Sequence, residues 1–217
     1  MIVGLLGGTG PEGQGLALRL ATAGMSVVIG SRSADRGAEV AASLGASAPR
    51  ASIQGSSNAE AARSATVVIL TIPFAGIDHT LAPLADALAG KIVVSAIAPI
   101  EFREGRPVGL RPESGSAAQE VQRVLPGSRV VSAFQIIDAH QLRDLETALD
   151  TDVIVCSDDA EARREIMGLA ERIDGVRALS GGRLAASRYV EECTALLITL
   201  NRIYKTHTGI RITNVNR

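Results

Sequence analysis

The chain has 217 residues, enough for one domain with a small appendage and for a sizeable hydrophobic core. Hydrophobic residues make up 46% and charged residues 21%, which excludes a disordered chain. A net charge of −1 and only 2% aromatics exclude a basic, base-stacking nucleic-acid platform.

Two cysteines, Cys156 and Cys193, are too few for a disulfide framework or a thiolate metal site, and both read as core thiols. No apolar run reaches the roughly 18–20 residues needed to span a bilayer, so no membrane role is expected. The start, Met1 to Leu6, reads as a strand and not as a leader, which makes the cytoplasm the expected location.

Ile2–Leu6 is a strand by its aliphatic run. Gly13–Ala23 is a helix with Leu16 and Leu20 on one face, closed by Gly24. Met25–Ile29 is the next strand, followed by a helix over Ala34–Leu44 and a short strand around Ile53. Ser57 and Glu60 have capping-box spacing and start a short helix. Val67–Thr71 is a strand ended by Pro73, and Ile77–Leu88 is a helix. Lys91–Ile97 is a strand ended by Pro99. Residues 101–116 form a surface segment, either a flap or a plain loop. Ser114–Leu125 is a helix and Arg129–Phe134 a strand. Asp152–Cys156 is a strand, and a helix starting at Asp158 to Glu161 runs to Ile173. Val176–Leu179 is a further strand, and Leu184–Tyr204 is a long helix without internal Pro or Gly.

This alternation predicts an α/β fold, a Rossmann-type doubly wound parallel sheet with a small C-terminal part ending in a long helix. A soft boundary near residue 140 separates a dinucleotide-binding domain (1–140) from a small substrate and dimerisation part (141–217).

The motif that carries chemistry is Gly8-Thr9-Gly10-Pro11-Glu12-Gly13, preceded by Gly7. It follows a strand, opens a helix and precedes a second strand within 30 residues. In that setting the glycines admit a pyrophosphate to the backbone, and the helix N-terminus offers free N–H groups. After the second strand, an NAD site places an acid against the ribose hydroxyls. This chain has Ser31-Arg32-Ser33 there, with Arg36 one turn on. A guanidinium suits a 2′-phosphate that an acid would repel, so NADP(H) is expected over NAD(H). Thr71-Ile72-Pro73 and Ser95-Ala96-Ile97 leave the C-terminal ends of two strands, where open α/β sheets bind ligands. Phe134 and Gln135 stand at a third such end. No metal-site spacing, nucleophile elbow or P-loop is present, and His79, His140 and His207 are isolated.

Several runs resemble the NADPH-dependent reductases of coenzyme F420. They are Leu5-Leu6-Gly7-Gly8-Thr9-Gly10, Gly15 to Ala21, Gly30-Ser31-Arg32, Leu70-Thr71-Ile72-Pro73 and Lys91 to Ser95, together with Ser187 to Glu191 and Thr206 to Arg211. The resemblance spans nearly the whole chain. It implies hydride transfer between NADP(H) and the deazaflavin ring of F420, in a homodimer built partly by the long C-terminal helix. It also implies that Thr9, Ser31 and Arg32 contact the NADP phosphates, that Ile72 and Pro73 line the nucleotide cleft, and that Ser95 to Ile97 line the nicotinamide side. No catalytic side chain is expected, because hydride transfer between stacked rings needs orientation above all. Family members commonly carry histidines after the strand ending at Phe134, in the second-substrate pocket. Here that pocket would be formed by Phe134, Gln135, Ile136 and Ile137. The substitution leaves open an alternative planar acceptor, a pterin or a flavin, or a non-catalytic NADP-binding module.

Overall fold

The computed structural model describes residues 1–215. The first unit is β1 (Ile2–Leu6), α1 (Pro11–Thr22) and β2 (Ser26–Ser31), followed by α2 (Ala34–Ser47), β3 (Ser52–Ser57) and α3 (Asn58–Ser64). Next come β4 (Val67–Leu70), α4 (Ile77–Leu81), α5 (Ala85–Leu88), β5 (Ile92–Ser95), and a hairpin of β6 (Ile100–Arg103) and β7 (Arg106–Gly109). The chain continues through α6 (Ala117–Val124), β8 (Arg129–Ser132), α7 (Ala139–Arg143), β9 (Thr151–Cys156), α8 (Ala160–Ala170), β10 (Val176–Gly182) and α9 (Ser187–Tyr204).

Eight strands form one sheet in the order β10-β9-β8-β5-β4-β1-β2-β3. From β3 to β8 every neighbouring pair is parallel, as expected. The sense then changes. β9 meets β8 in an antiparallel bridge at Ser132 and Cys156, and β10 runs parallel to β9. The physical reason lies in the connection after β8. Its helix, α7, packs on α1 instead of crossing the sheet beside β8, so the chain comes back to the sheet with the opposite sense.

Both faces are covered, and alternate residues of each strand serve opposite faces. Val3, Leu5, Val67, Ile69, Ile92 and Val94 pack towards α1, α2 and α8. Leu6, Val68, Leu70 and Val93 pack towards α3 to α6.

Several boundaries depart from expectation for local reasons. α1 begins at Pro11, two residues early, because proline is favoured at the first helical position. The helix expected over Ile77–Leu88 is broken into α4, a 3₁₀ turn over Ala82–Leu84 and α5, because Pro83 has no N–H to donate. The N-cap of α8 is Asp159, not Asp158; its carboxylate accepts from the Glu161 and Ala162 amides. Residues 101–116 are not a plain loop: they begin with the β6–β7 hairpin, turned at Glu104 and Gly105 with positive φ. Arg202 of α9 donates to the Gly105 carbonyl and lies over the Phe102 ring, docking the hairpin on the last helix. Cys156 is buried, as expected, whereas Cys193 is half-buried.

Three ties bind the later elements to the first unit and to one another. Arg19 of α1 is buried and donates to the carbonyls of Gln141, Leu142, Asp144 and Thr147, which caps the end of α7. Glu191 of α9 is buried and accepts from the Ala117 and Ala118 amides at the start of α6. Asp152 of β9 has no exposed side-chain surface and gathers Arg177, Arg211 and the Ile212 amide. Burial opposes the Asp152 charge, but these donors outweigh it and hold its pKa at about 2.

Its folded pKa lies below the usual carboxylate value, so Asp152 contributes stability at neutral pH that is lost as pH falls from about 4 through about 2. Asp152→Asn leaves Arg177 and Arg211 short of their shared partner. It is expected to cost about 3 kcal/mol at pH 7 in urea unfolding and to flatten the acid limb of the stability curve.

Candidate active site

The sheet order reverses between β1 and β4, so the chain leaves their paired C-terminal ends in opposite directions and a crevice forms at that point. The backbone of the glycine loop is shaped for this place. Gly7 has a φ of +74°, and a Cβ there would lie 2.7 Å from the Ile72 side chain. The Gly7 amide donates to Oδ1 of Asn58. Gly8 and Gly13 pack against each other so closely that a Cβ on Gly13 would fall 2.5 Å from the Gly8 Cα. Gly10 differs: a Cβ there would meet only the Gly7 carbonyl, at 3.9 Å. The space beside Gly10 is therefore open towards the crevice, as a close-approaching ligand requires.

Three adjoining cavities follow the strand ends. The first, about 740 Å³, runs from Gly7, Thr9 and Gly10 past Ser31, Arg32, Ser33 and Arg36 to Thr71, Ile72 and Pro73. No acid pairs with Arg32 among the described residues, whereas Arg36 is bound to Glu39 at 2.6 Å. The second, about 290 Å³, lies between Gly10 to Gly13, Thr71 to Phe74, Ala96 to Ala98, Gln135 and Thr194. The third, about 220 Å³, is walled by Glu12, Gln135 to Ala139, and one face of α9. Thr71 to Pro73 and Gly10 join the first to the second, and Glu12, Gln135 and Thr194 join the second to the third.

Most residues singled out from sequence come together here, but three do not reach the cavity walls. Gly8 is buried against Leu5 and Gly13, and its place is in the packing of the loop. Ser95 is fully buried at the end of β5, one residue short of the wall that Ala96 and Ile97 form. Phe134 is also fully buried; it is a core residue, not a wall of the acceptor pocket. Its φ of +77° is rare for an aromatic and strained. That turn sends the ring into the core and brings Gln135, Ile136 and Ile137 to the third cavity.

Other wall residues carried no local signal. Asn58, Gly76, His79 and Thr80 line the first cavity; His79 is an exposed residue in the last turn of α4, as expected, and stands at the cavity's rim. Thr194, Leu197, Ile198 and Asn201 line the third at spacings of three, four and seven. That spacing marks one helical face, but nothing in the sequence says what it faces.

The electrostatics divide along the cleft. Arg32 and the first-turn amides of α1 make the first cavity anion-seeking. The other two cavities are walled mainly by Pro, Ile, Ala and Leu. Within them, burial pushes the Glu12 carboxyl up to about 8, so it is largely neutral at pH 7. Among the described residues, no group of three or more His, Cys, Asp or Glu side chains could hold a metal ion.

Residues 2–99 match the family model described as NADP oxidoreductase, coenzyme F420-dependent. An F420-dependent NADP reductase of Methanocaldococcus jannaschii is 44% identical over 222 residues, covering 99% of either chain. One from Methanothermobacter thermautotrophicus is 41% identical, covering 99% of this chain and 96% of the other. The crystal structure of a candidate F420-dependent NADP-reductase from Arthrobacter sp. FB24 superposes with a TM-score of 0.82 at 26% identity, over 98% of this chain and 99% of that one.

The two glycines divide fold from ligand. Gly13→Ala is expected to cost about 2 kcal/mol of stability by overpacking. Gly10→Ala should change stability by under about 1 kcal/mol yet weaken dinucleotide binding about tenfold. Thermal melts and equilibrium titration of the two variants check the contrast.

Proposed function

The chain belongs to the family of coenzyme F420-dependent NADP oxidoreductases, and from that premise we propose how its cleft divides the work of passing hydride between NADP(H) and F420. The observation that carries the reading is the row of three joined cavities, anion-seeking at one end and apolar at the other.

The pyrophosphate lies over Thr9 and Gly10 at the start of α1. Ser31, Arg32 and Ser33 receive the 2′-phosphate, and Arg36 adds charge at longer range. Thr71, Ile72 and Pro73 line the path of the dinucleotide. The nicotinamide ring enters the second cavity against Pro11, Glu12, Gly13, Ala96 and Ile97. The deazaflavin stacks on it from the side of Gln135, Ile136 and Ile137. Hydride then passes directly from ring to ring, and the protein holds the two in register and keeps water out. No side chain needs to form a covalent bond with either substrate.

Residues 141–217 serve as the substrate and dimerisation part on the common sheet. α9 exposes Tyr189, Leu196 and Ile203, a stripe at seven-residue spacing, and this apolar line supports a homodimer. Both substrates are small molecules. No described helix is long and apolar enough to cross a membrane, and we place the enzyme in the cytoplasm.

Purified protein supplied with NADP and reduced F420 should produce NADPH, with pterins and flavins as poorer partners. Turnover of a pterin or flavin alone would reassign the acceptor. Arg32→Ala is expected to weaken NADPH binding by about 1.5–3 kcal/mol, the scale of a charge-assisted bond, with little change for NADH. Equal losses for both would remove the 2′-phosphate role. Ile203→Glu on α9 should shift sedimentation from dimer to monomer.

A further inference from the structure

Two polar atoms in the cleft are shielded from solvent and have no hydrogen-bond partner among the described residues: Oε1 of Glu12 and Oε1 of Gln135. Both residues belong to the walls of the second and the third cavity, so they stand where two stacked rings would share an edge. Buried polar groups are almost always satisfied, and exceptions in a cleft point to a ligand.

The two are chemically complementary. Gln135 is 4% exposed, and its Nε2 is held by Oγ of Ser132 at 2.7 Å. Its backbone carbonyl accepts from Thr194 of α9 at 2.9 Å. The side-chain oxygen is without a partner among the described residues, and it is an acceptor. Among the described residues no cation stands beside Glu12, and an ionised carboxylate buried there would be costly. Burial raises its pKa to about 8, which leaves a carboxyl O–H to donate at neutral pH.

We infer that the Glu12 carboxyl O–H and the Gln135 side-chain oxygen form a donor–acceptor pair that reads the pyrimidinedione edge of the acceptor ring. Gln135 accepts from the ring imide N–H, and Glu12 donates to the adjacent ring carbonyl. This rests on the F420 reading above and adds the residues that select the ring. Glu12 is a neutral donor in the first turn of the phosphate-binding helix, so one turn of α1 serves both substrates.

Among the residues lining the two cavities, the other ionisable one is Asp138. It is engaged by His207 Nδ1 at 3.1 Å, by Asn201 at 3.1 Å, and by the His140 and Gln141 amides. The wall segments after β4 and β5, and the α9 residues of the wall, contribute no charge.

The test is equilibrium binding of coenzyme F420 to the NADP-saturated protein between about pH 6 and about pH 9.5, with KM and kcat measured alongside. Wild-type affinity should fall about tenfold as pH rises through about 8, relative to Glu12→Gln, which keeps a donor at every pH. The ratio of the two cancels the ligand's own titration. Glu12→Leu and Gln135→Leu should each lose about tenfold even at low pH, in KM for F420 more than in kcat. NADP affinity at about pH 6.5 should fall by much less than F420 affinity in all three variants. Identical pH dependence in wild type and Glu12→Gln overturns the inference. A parallel loss of NADP affinity also overturns it, and gives the pair to the nicotinamide carboxamide. A wild-type protein that neither binds nor reduces F420 removes the functional reading itself, which is a separate failure.

Discussion

The closest backbone approach in the site is that of Gly13 to Gly8, where the first turn of α1 lies directly against the loop leaving β1. Helices normally stand off a sheet by the thickness of their side chains, and here two residues without side chains remove that spacing. The helix N-terminus is thereby brought to the crevice between β1 and β4. Glu12, one residue before the contact, is carried to the junction of the second and third cavities by the same approach. The positions of the glycine-loop edge of the first cavity and of the junction between the second and third therefore depend on one steric condition.

The rest of the molecule fixes what that contact sets in place. Arg19, two turns along α1, spends its guanidinium on four carbonyls around the end of α7. Gly15 lets α7 approach to the point where a Cβ would lie 2.4 Å from that of Leu142. α7 in turn begins at Asp138, whose carboxylate reaches Asn201 of α9 and His207 beyond it. A chain of close packing and buried polar contacts thus runs from the glycine loop to the C-terminal helix. The cleft is closed on one side by local sequence and on the other by this long-range chain.

Legibility from the sequence follows the same division. The strand, glycine loop, helix and second strand of the first unit are written in about 30 contiguous residues, and they were readable together with Arg32 and the strand ends at Thr71 and Ala96. The break at Pro83 was also written locally, since a proline inside a helical pattern is a stop signal. The direction of β9 was not, because it depends on α7 docking against α1 and not on any residue of β9. Ser95 and Phe134 fell on the wrong side of their walls for a related reason. A strand end is visible in a sequence, but which way its last side chain points is set by a turn such as the left-handed Phe134. The α9 wall was visible only as a face without a partner, because helical spacing reports amphipathicity and not the neighbour.

The seating of Thr194, Leu197, Ile198 and Asn201 on a single helix has a kinetic meaning. Proteins open in cooperative segments well before they unfold, and a terminal helix is a natural first segment to leave. α9 is held by Glu191 at its start and by Asn201 near its end. If it lifts, the third cavity loses a wall, while the glycine loop, Arg32 and the end of β4 stay together on the sheet. On the proposed assignment of the cavities, the partly opened molecule would keep its grip on the dinucleotide and release the other ring. Amide exchange along α9 would then set an upper limit on how fast the acceptor can come and go without disturbing its partner.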